Sequence, residues 1–406
     1  MPTESAVWVT GLGAVCCLGG TVREFWTGLL AGRCGLAPIT RFDLEGSPYG
    51  FGGEAASIPP PEPGLIGASL GARFAVAACR EAADGLTGDQ LERTMLVLSS
   101  NFGPGEVLEG LLDERFETPL CGDVRCGLLD GPFQWDLDCA ARALGTGGER
   151  VAVSLSCSSG NAALACALGA LRSGRAERAL VGGYDSIQKV IWAGLGSLRI
   201  MAVGQDGGPP RVRPFDLDRG GTLFSEGAGV LLLETAEAAN DRGAEPLAVL
   251  AGAFANNNAY HMTHADKEGM ATAEAIAMAL TDGEVDADTV CHLNAHGTGT
   301  KLNDAIEARA VSAVFGPRTG SISVTSLKGG LGHAMGAAAS LEAVACVLTI
   351  SEGLVPPTVG LEDLDPECAE LDVVRGAPRE FAPGAVVNNS AGIGGGNAAA
   401  VFTPVD

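Results

Sequence analysis

The chain has 406 residues, enough for two large α/β halves or about three smaller domains, and 46% of them are hydrophobic, which excludes general disorder. Lys and Arg total 26 against 49 acidic residues, a net charge of −23 that argues against a duplex-DNA binder and against docking on anionic lipid. The opening MPTESAVWVTGLG has no basic n-region and no apolar run approaches the ~18–20 residues of a membrane span, so neither signal peptide nor span is expected, and the protein is expected to be cytoplasmic.

From the N-terminus, AVWVTGLGAVCCLGG (6–20) reads as a buried strand and a glycine-rich turn, and FWTGLLAG (25–32) as a helix. Residues 45–70, rich in Gly, Pro and Ser, are expected as surface loops, LERTMLVLSSNFG (91–103) ends in a strand, and 104–145 is irregular with helical parts. VAVSLS (151–156) is a strand, and NAALACALGALRSG (161–174) a helix apolar on nearly all sides, hence buried. RALVGGYDS and GVLLLET are two more strands. Past the polar stretch NDRGAEP (240–246) the alternation resumes with strand LAVLAGAFANN, helix ATAEAIAMALTDG, strand VCHLNAH, helix DAIEARAVSAVFG, strand ISVTSLK and helix AAASLEAVACVLTISEG. Such alternation predicts an α/β fold with mainly parallel strands. Segments 151–171 and 322–348 share one grammar: a β-branched strand, a Ser/Gly-rich corner, then a helix of Ala and Gly. That echo predicts duplicated halves, 1–245 and 246–406.

Twelve cysteines occur without a CxxC pair, so neither a disulfide framework nor a zinc site is expected. Cys157, in SLSCSSGN, differs from the rest by lying at a strand-to-helix corner among small residues. A thiol there faces unpaired helix N–H groups and the positive end of the dipole, which lowers its pKa and suits a nucleophile. Of only five histidines, His296 (NAHGTGT) and His333 (SLKGGLGHAMGAA) sit at Gly-rich strand ends. A thiolate with two imidazoles suits acyl transfer, the N–H groups stabilising an enolate oxygen. Lys328 shares the His333 corner in apolar surroundings, and Glu307 is a candidate counter-ion for it. Asp304 and Glu307 otherwise read as a solvated helix face, and His261 and His264 (HxxH) as loop residues rather than metal ligands. GIGGGN (392–397) suits a turn whose amides face a substrate oxygen.

With VTGLGAVCCLG, SCSSGNAAL, RPFDLDRGG, NAHGTGT, SLKGGLGHAMGAA and NSAGIGGGNA in this order, the chain resembles the β-ketoacyl-acyl carrier protein synthases of the thiolase superfamily over nearly its whole length. NAHGTGTKLND and VPPTVGLEDLDPEC look most like the ketosynthase subunits of type II polyketide systems. The resemblance implies a thiolase-like five-layer αβαβα sandwich, usually dimeric. It implies Cys157 as the acyl-carrying nucleophile, His296 and His333 assisting malonyl decarboxylation, Lys328 orienting His333, and Glu307 in support. Thr298 and Thr300 would line the phosphopantetheine tunnel, and the N–H groups of Cys157 and Ile393 would form the oxyanion hole. No metal or cofactor of its own is implied; the phosphopantetheine belongs to an acyl carrier protein. A heterodimer with a chain-length factor-like subunit is the expected assembly.

Ile393 and Ala391 stand where the family usually carries aromatic gate residues, so a wider pocket and a bulky, stiff or unsaturated polyketide or fatty acyl chain are expected. The region after residue 65 lacks the basic cluster many relatives use to hold a carrier; Arg172, Arg175 and Arg178, or Arg211 and Arg213, are the candidates to supply it. The alternatives to an elongating enzyme are a non-elongating acyltransferase or priming enzyme, and a non-catalytic chain-length partner. A degradative thiolase would need a second cysteine in GIGGGN, which has none.

Overall fold

A computed structural model of the protein describes residues 6–405 except 45, 61–67, 106, 108–131, 205–207 and 262–265. Cys121, Cys126 and His264 lie outside the described residues, as do parts of the expected 45–70 loops and of 104–145. Eleven strands form one sheet: β1 (Val7–Val15), β2 (Met95–Ser99), β3 (Arg150–Val153), β4 (Arg178–Asp185), β5 (Gly227–Thr235), β6 (Ala248–Asn257), β7 (Val290–Asn294), β8 (Ser323–Thr325), β9 (Asp372–Val373), β10 (Ala385–Ala391) and β11 (Gly396–Thr403). The spatial order is β9-β8-β7-β10-β11-β6-β1-β5-β4-β2-β3.

The duplication is visible in strand polarity. From β1 outwards, β5 and β4 pair antiparallel, then β2 and β3 parallel. From β6 outwards, β11 and β10 pair antiparallel, then β7 and β8 parallel. The sets join where Trp8 and Val9 of β1 meet Val249 and Ala248 of β6. The sheet is therefore mixed rather than mainly parallel: alternation of apolar segments does not distinguish a crossover from a return such as the β10–β11 hairpin, which Gly394 and Gly395 turn with positive φ.

Helices complete five layers. Helices α1 (Leu70–Ala82) and α2 (Pro132–Leu144) cover one outer face; α4 (Met270–Asp282) and α5 (Lys301–Phe315) cover the other. Between the two strand sets lie α3 (Ser159–Arg172) and α6 (Ala338–Glu352). Every residue of α6 from Ala338 to Thr349 is buried, which explains why its apolar residues run all round the helix. Contrary to the sequence expectation, the continuous run Met335–Glu352 is long and apolar enough to cross a membrane, but 83% of it is buried inside the fold.

The two central helices cross at closest range where Gly160 meets Ser340. A Cβ at Gly160 would stand 2.4 Å from Ser340 Oγ and 2.6 Å from its backbone nitrogen. This crossing sets α3, and with it the corner that precedes α3, against the second half. Gly160→Ala is expected to lower stability by about 1–3 kcal/mol through overpacking, read as a lower urea midpoint with an unchanged m-value.

Candidate active site

Five residues, 154–158, separate the end of β3 from the first turn of α3. Ser156 takes a left-handed φ of 52°, a strained position for a non-glycine residue and typical of a sharp nucleophile turn. Ser159 stabilises it: its Oγ accepts the Leu155 N–H at 2.7 Å and donates to Ser156 O at 2.5 Å. Cys157 follows at the helix start, 8% exposed, with Ser156 Oγ 3.8 Å from its Sγ.

The opposite wall is the β10–β11 turn. A Cβ on Gly392 would lie 3.0 Å from Ser156 Cβ and 3.1 Å from the Cys157 nitrogen, so the turn packs tightly on the corner. The next residue, Ile393, points its backbone N–H at the Cys157 sulfur, while its residue surface is 38% exposed. Ala391, at the end of β10, is half-buried.

Burial pushes the Cys157 thiol pKa up, against the lowering expected from its place at a helix N-terminus. The Ser156 hydroxyl, the Lys328 charge and the Ile393 N–H pull it back; the Asp185 carboxylate opposes them.

His296 and His333 come from the other half and meet edge to face, ring centroids 5.4 Å apart and planes at 85°. Burial and the Lys328 cation hold both imidazoles well below their ordinary pKa, so both are neutral at physiological pH. His333 is clamped by its backbone, its N–H on Leu223 O at 2.7 Å and its carbonyl accepting from Ser225 at 2.9 Å. Its Nδ1 accepts the Met335 N–H at 3.0 Å, and a neutral ring that accepts at Nδ1 carries its proton on Nε2. Nδ1 of His296 is buried and finds no hydrogen-bond partner among the described residues.

Lys328 is 1% exposed and pairs with Glu342 of α6. Glu342, not Glu307, is thus the counter-ion. Burial pushes the Glu342 carboxyl up to about 7 despite the lysine beside it. The sequence did carry a signal for Glu342, the one acid within the buried span Ala338–Thr349. Glu307 is buried and does a different job: its carboxylate accepts the N–H groups of His296 at 2.6 Å and Gly297 at 2.7 Å, and the Asn389 amide at 2.6 Å. Asp304, also buried rather than solvated, takes the N–H groups of Phe215 at 2.8 Å and Gly299 at 3.2 Å. Two acids one turn apart therefore grip the His296–Gly299 loop. Thr298 and Thr300 close it, their hydroxyls 3.0 Å apart, with Thr300 capping α5.

The arginines proposed from sequence as a carrier patch are neutralised. Arg172 pairs with Asp282 at 2.9 Å and Arg175 with Glu149 at 3.4 Å; Arg178 is buried on Glu234 at 2.7 Å; Arg211 and Arg213 share Glu362. Among the described residues, no three His, Cys, Asp or Glu side chains converge as a metal ion would require.

Removing the cation should unbalance the whole cluster. Lys328→Met is expected to destabilise the fold by about 3–5 kcal/mol by stranding Glu342, with recovery in the Lys328→Met/Glu342→Met double variant, both read by denaturant titration. The ring signals of His296 and His333 in the wild type should stay in the neutral form from pH 8 down to about pH 5.5 by NMR; in the double variant they should titrate at higher pH, because the charge opposing protonation has gone.

Comparison with known proteins shows the family. Residues 139–239 match the beta-ketoacyl synthase N-terminal domain, and residues 247–362 its C-terminal domain. The chain is 34% identical to the 3-oxoacyl-[acyl-carrier-protein] synthase 2 of Synechocystis over 98% of each protein. It is 33% identical to the actinorhodin polyketide putative beta-ketoacyl synthase 1 of Streptomyces coelicolor, covering 98% of this chain and 88% of that one. Among solved structures it superposes on the ishigamide ketosynthase/chain length factor with a TM-score of 0.88 at 34% identity, covering 99% of both chains. It superposes on AntDE:AntF, a type II PKS acyl-carrier protein in complex with its ketosynthase, with a TM-score of 0.87 at 29% identity, covering 98% of this chain and 99% of that one. The chain is a member of the beta-ketoacyl synthase family, with the thiolase-like fold of that family.

Proposed function

We propose that Cys157, His296, His333 and Lys328 catalyse a decarboxylative Claisen condensation that extends a fatty acyl or polyketide chain. The observation that carries the reading is a sulfur facing a backbone N–H donor while one lysine charge reaches that sulfur and both neutral imidazoles.

In the first half-reaction the Cys157 sulfur attacks the thioester of an acyl carrier protein. The N–H groups of Cys157 and Ile393 hold the oxyanion, and the carrier's pantetheine leaves with the thiol proton. In the second, a malonyl thioester takes its place along Thr298 and Thr300. The Nε2–H of His333, with His296, donates to the thioester oxygen as the C–CO2 bond breaks and the enolate forms. The enolate carbon attacks the Cys157 thioester, a carbon–carbon bond forms, and the Cys157 thiolate leaves. Neutral rings still donate through one N–H and bring no further positive charge into a buried site beside Lys328. An intact His–His–Lys set supports elongation over bare acyl transfer, and the presence of Cys157 weighs against a non-catalytic chain-length partner. The carbon chemistry needs no cofactor beyond the carrier's phosphopantetheine.

The two halves of this reading meet near residue 245, the nucleophile belonging to 1–245 and the histidines and lysine to 246–406; the family matches ending at 239 and starting at 247 support it. A second subunit, by analogy a chain-length factor, would add to the edge of the sheet at β3, which bonds to β2 on one side only and leads straight into the Cys157 corner. With the earlier arginines neutralised, an acidic carrier would meet Lys189 and Arg199, which have no carboxylate partner among the described residues and flank exposed Val190 and Leu198. Such a biosynthetic enzyme would work in the cytoplasm.

Cys157→Ala should abolish acyl loading, seen as loss of the acyl mass adduct. His333→Ala should keep loading yet lose CO2 release from the malonyl thioester by about 100-fold or more. Equal defects in both half-reactions would contradict this division of labour. Ile393→Phe should slow loading of long or stiff acyl chains on the order of tenfold relative to acetyl, because it narrows the entrance while keeping the N–H.

A further inference from the structure

Asp185 is a buried acid that the mechanism above does not use. Asp185 ends β4 and is 1% exposed, and no cation touches it among the described residues. Its Oδ1 accepts the Ser100 hydroxyl at 2.6 Å and the Phe102 N–H at 3.1 Å; its Oδ2 accepts the Asn101 N–H at 3.0 Å and the Gly336 N–H at 2.6 Å. Four donors from two separate loops thus converge on one carboxylate. Burial pushes its pKa up to about 6, and these donors hold it from rising further.

Both loops lead to the reacting groups. Gly336 follows Met335, a non-glycine residue at φ 55° whose own N–H is the donor on His333 Nδ1. The left-handed turn is therefore held on both sides, by His333 before it and by Asp185 after it. Gly336 has no room for a side chain, since a Cβ would lie 2.7 Å from Asp185 Oδ2 and from the Asn101 nitrogen. On the other loop, the Asn101 side chain lies 3.3 Å from Ser159 Oγ, the hydroxyl that braces the Cys157 corner.

We propose that Asp185 is a positioning residue that holds the Met335–Gly336 turn so that His333 keeps its proton on Nε2. The inference rests on the role given to His333 above. An asparagine has the same shape but only one acceptor oxygen. Whichever way its amide turns, its NH2 faces donors, either Gly336 and Asn101 or Ser100 and Phe102.

The test measures three quantities in wild type, Asp185→Asn and the milder Ser100→Ala, using the full chain with any partner subunit it copurifies with. These are acetyl transfer from acetyl-pantetheine to Cys157, CO2 release from malonyl-pantetheine, and the tautomer of His333 by nitrogen NMR. Asp185→Asn should keep acetyl loading within about twofold, lose CO2 release on the order of tenfold in kcat with little change in KM, and show a mixed His333 tautomer. Ser100→Ala should show the same pattern more weakly. Asp185→Asn with wild-type CO2 release, or with equal losses in both half-reactions, overturns the proposal. If Asp185→Asn does not fold, a pure Nε2–H tautomer with wild-type CO2 release in Ser100→Ala overturns it instead. Wild-type protein that loads acetyl but releases no CO2 would instead refute the condensing reading itself, an outcome separate from any effect of Asp185.

Discussion

One ammonium group buried out of water sets the electrostatics of this protein. Lys328 lies at the end of a short corner with Glu342 as its ion partner, and its charge bears on Cys157, His296 and His333 together. In a medium of low effective dielectric such a charge acts over several ångströms with little screening. It favours the thiolate and disfavours both imidazolium ions, so the same cation pushes the nucleophile towards its charged form and the histidines towards their neutral one. The pairing with Glu342 ties this arrangement to α6, which is buried from Ala338 to Thr349.

The surrounding architecture serves that balance. Cys157 enters on the strand-to-helix corner of one half and Lys328 and His333 on the equivalent corner of the other. Close approach of α3 to α6 through Gly160 fixes how the corners face each other. Buried carboxylates then act as clamps on backbone N–H groups: Glu307 and Asp304 on the His296 loop, Asp185 on the His333 turn. Each gives up hydration and is repaid by several donors, which is how an acid remains tolerable in a core.

Much of this was legible in the chain. The Cys157 corner shows itself by small residues between a β-branched strand and an apolar helix, and both histidines by their Gly-rich settings. Glu342 and Asp185 were not read out because no sequence spacing relates them to their partners: the first is 14 residues from Lys328 along the chain, the second 151 from Gly336. Glu307 was matched to the wrong group because a buried lysine calls for a counter-ion, whereas the backbone amides that claim this carboxylate leave no mark in the sequence. Strand polarity was missed because apolar alternation carries no direction, and the thiol pKa because burial, a tertiary property, outweighs the local effect of a helix end.

The turn after β10 separates two jobs within one residue. Ile393 offers its amide hydrogen inward to the sulfur and leaves its side chain partly facing out. On the proposed reading, the chemistry would draw on the part of an amino acid that substitution does not change, whereas admission of substrate would draw on the part that it does. Nineteen of the twenty encoded residues keep that amide, and only proline lacks it. Were Ile393 the gate proposed above, a lineage would be free to drift through side-chain sizes at this position without losing the amide.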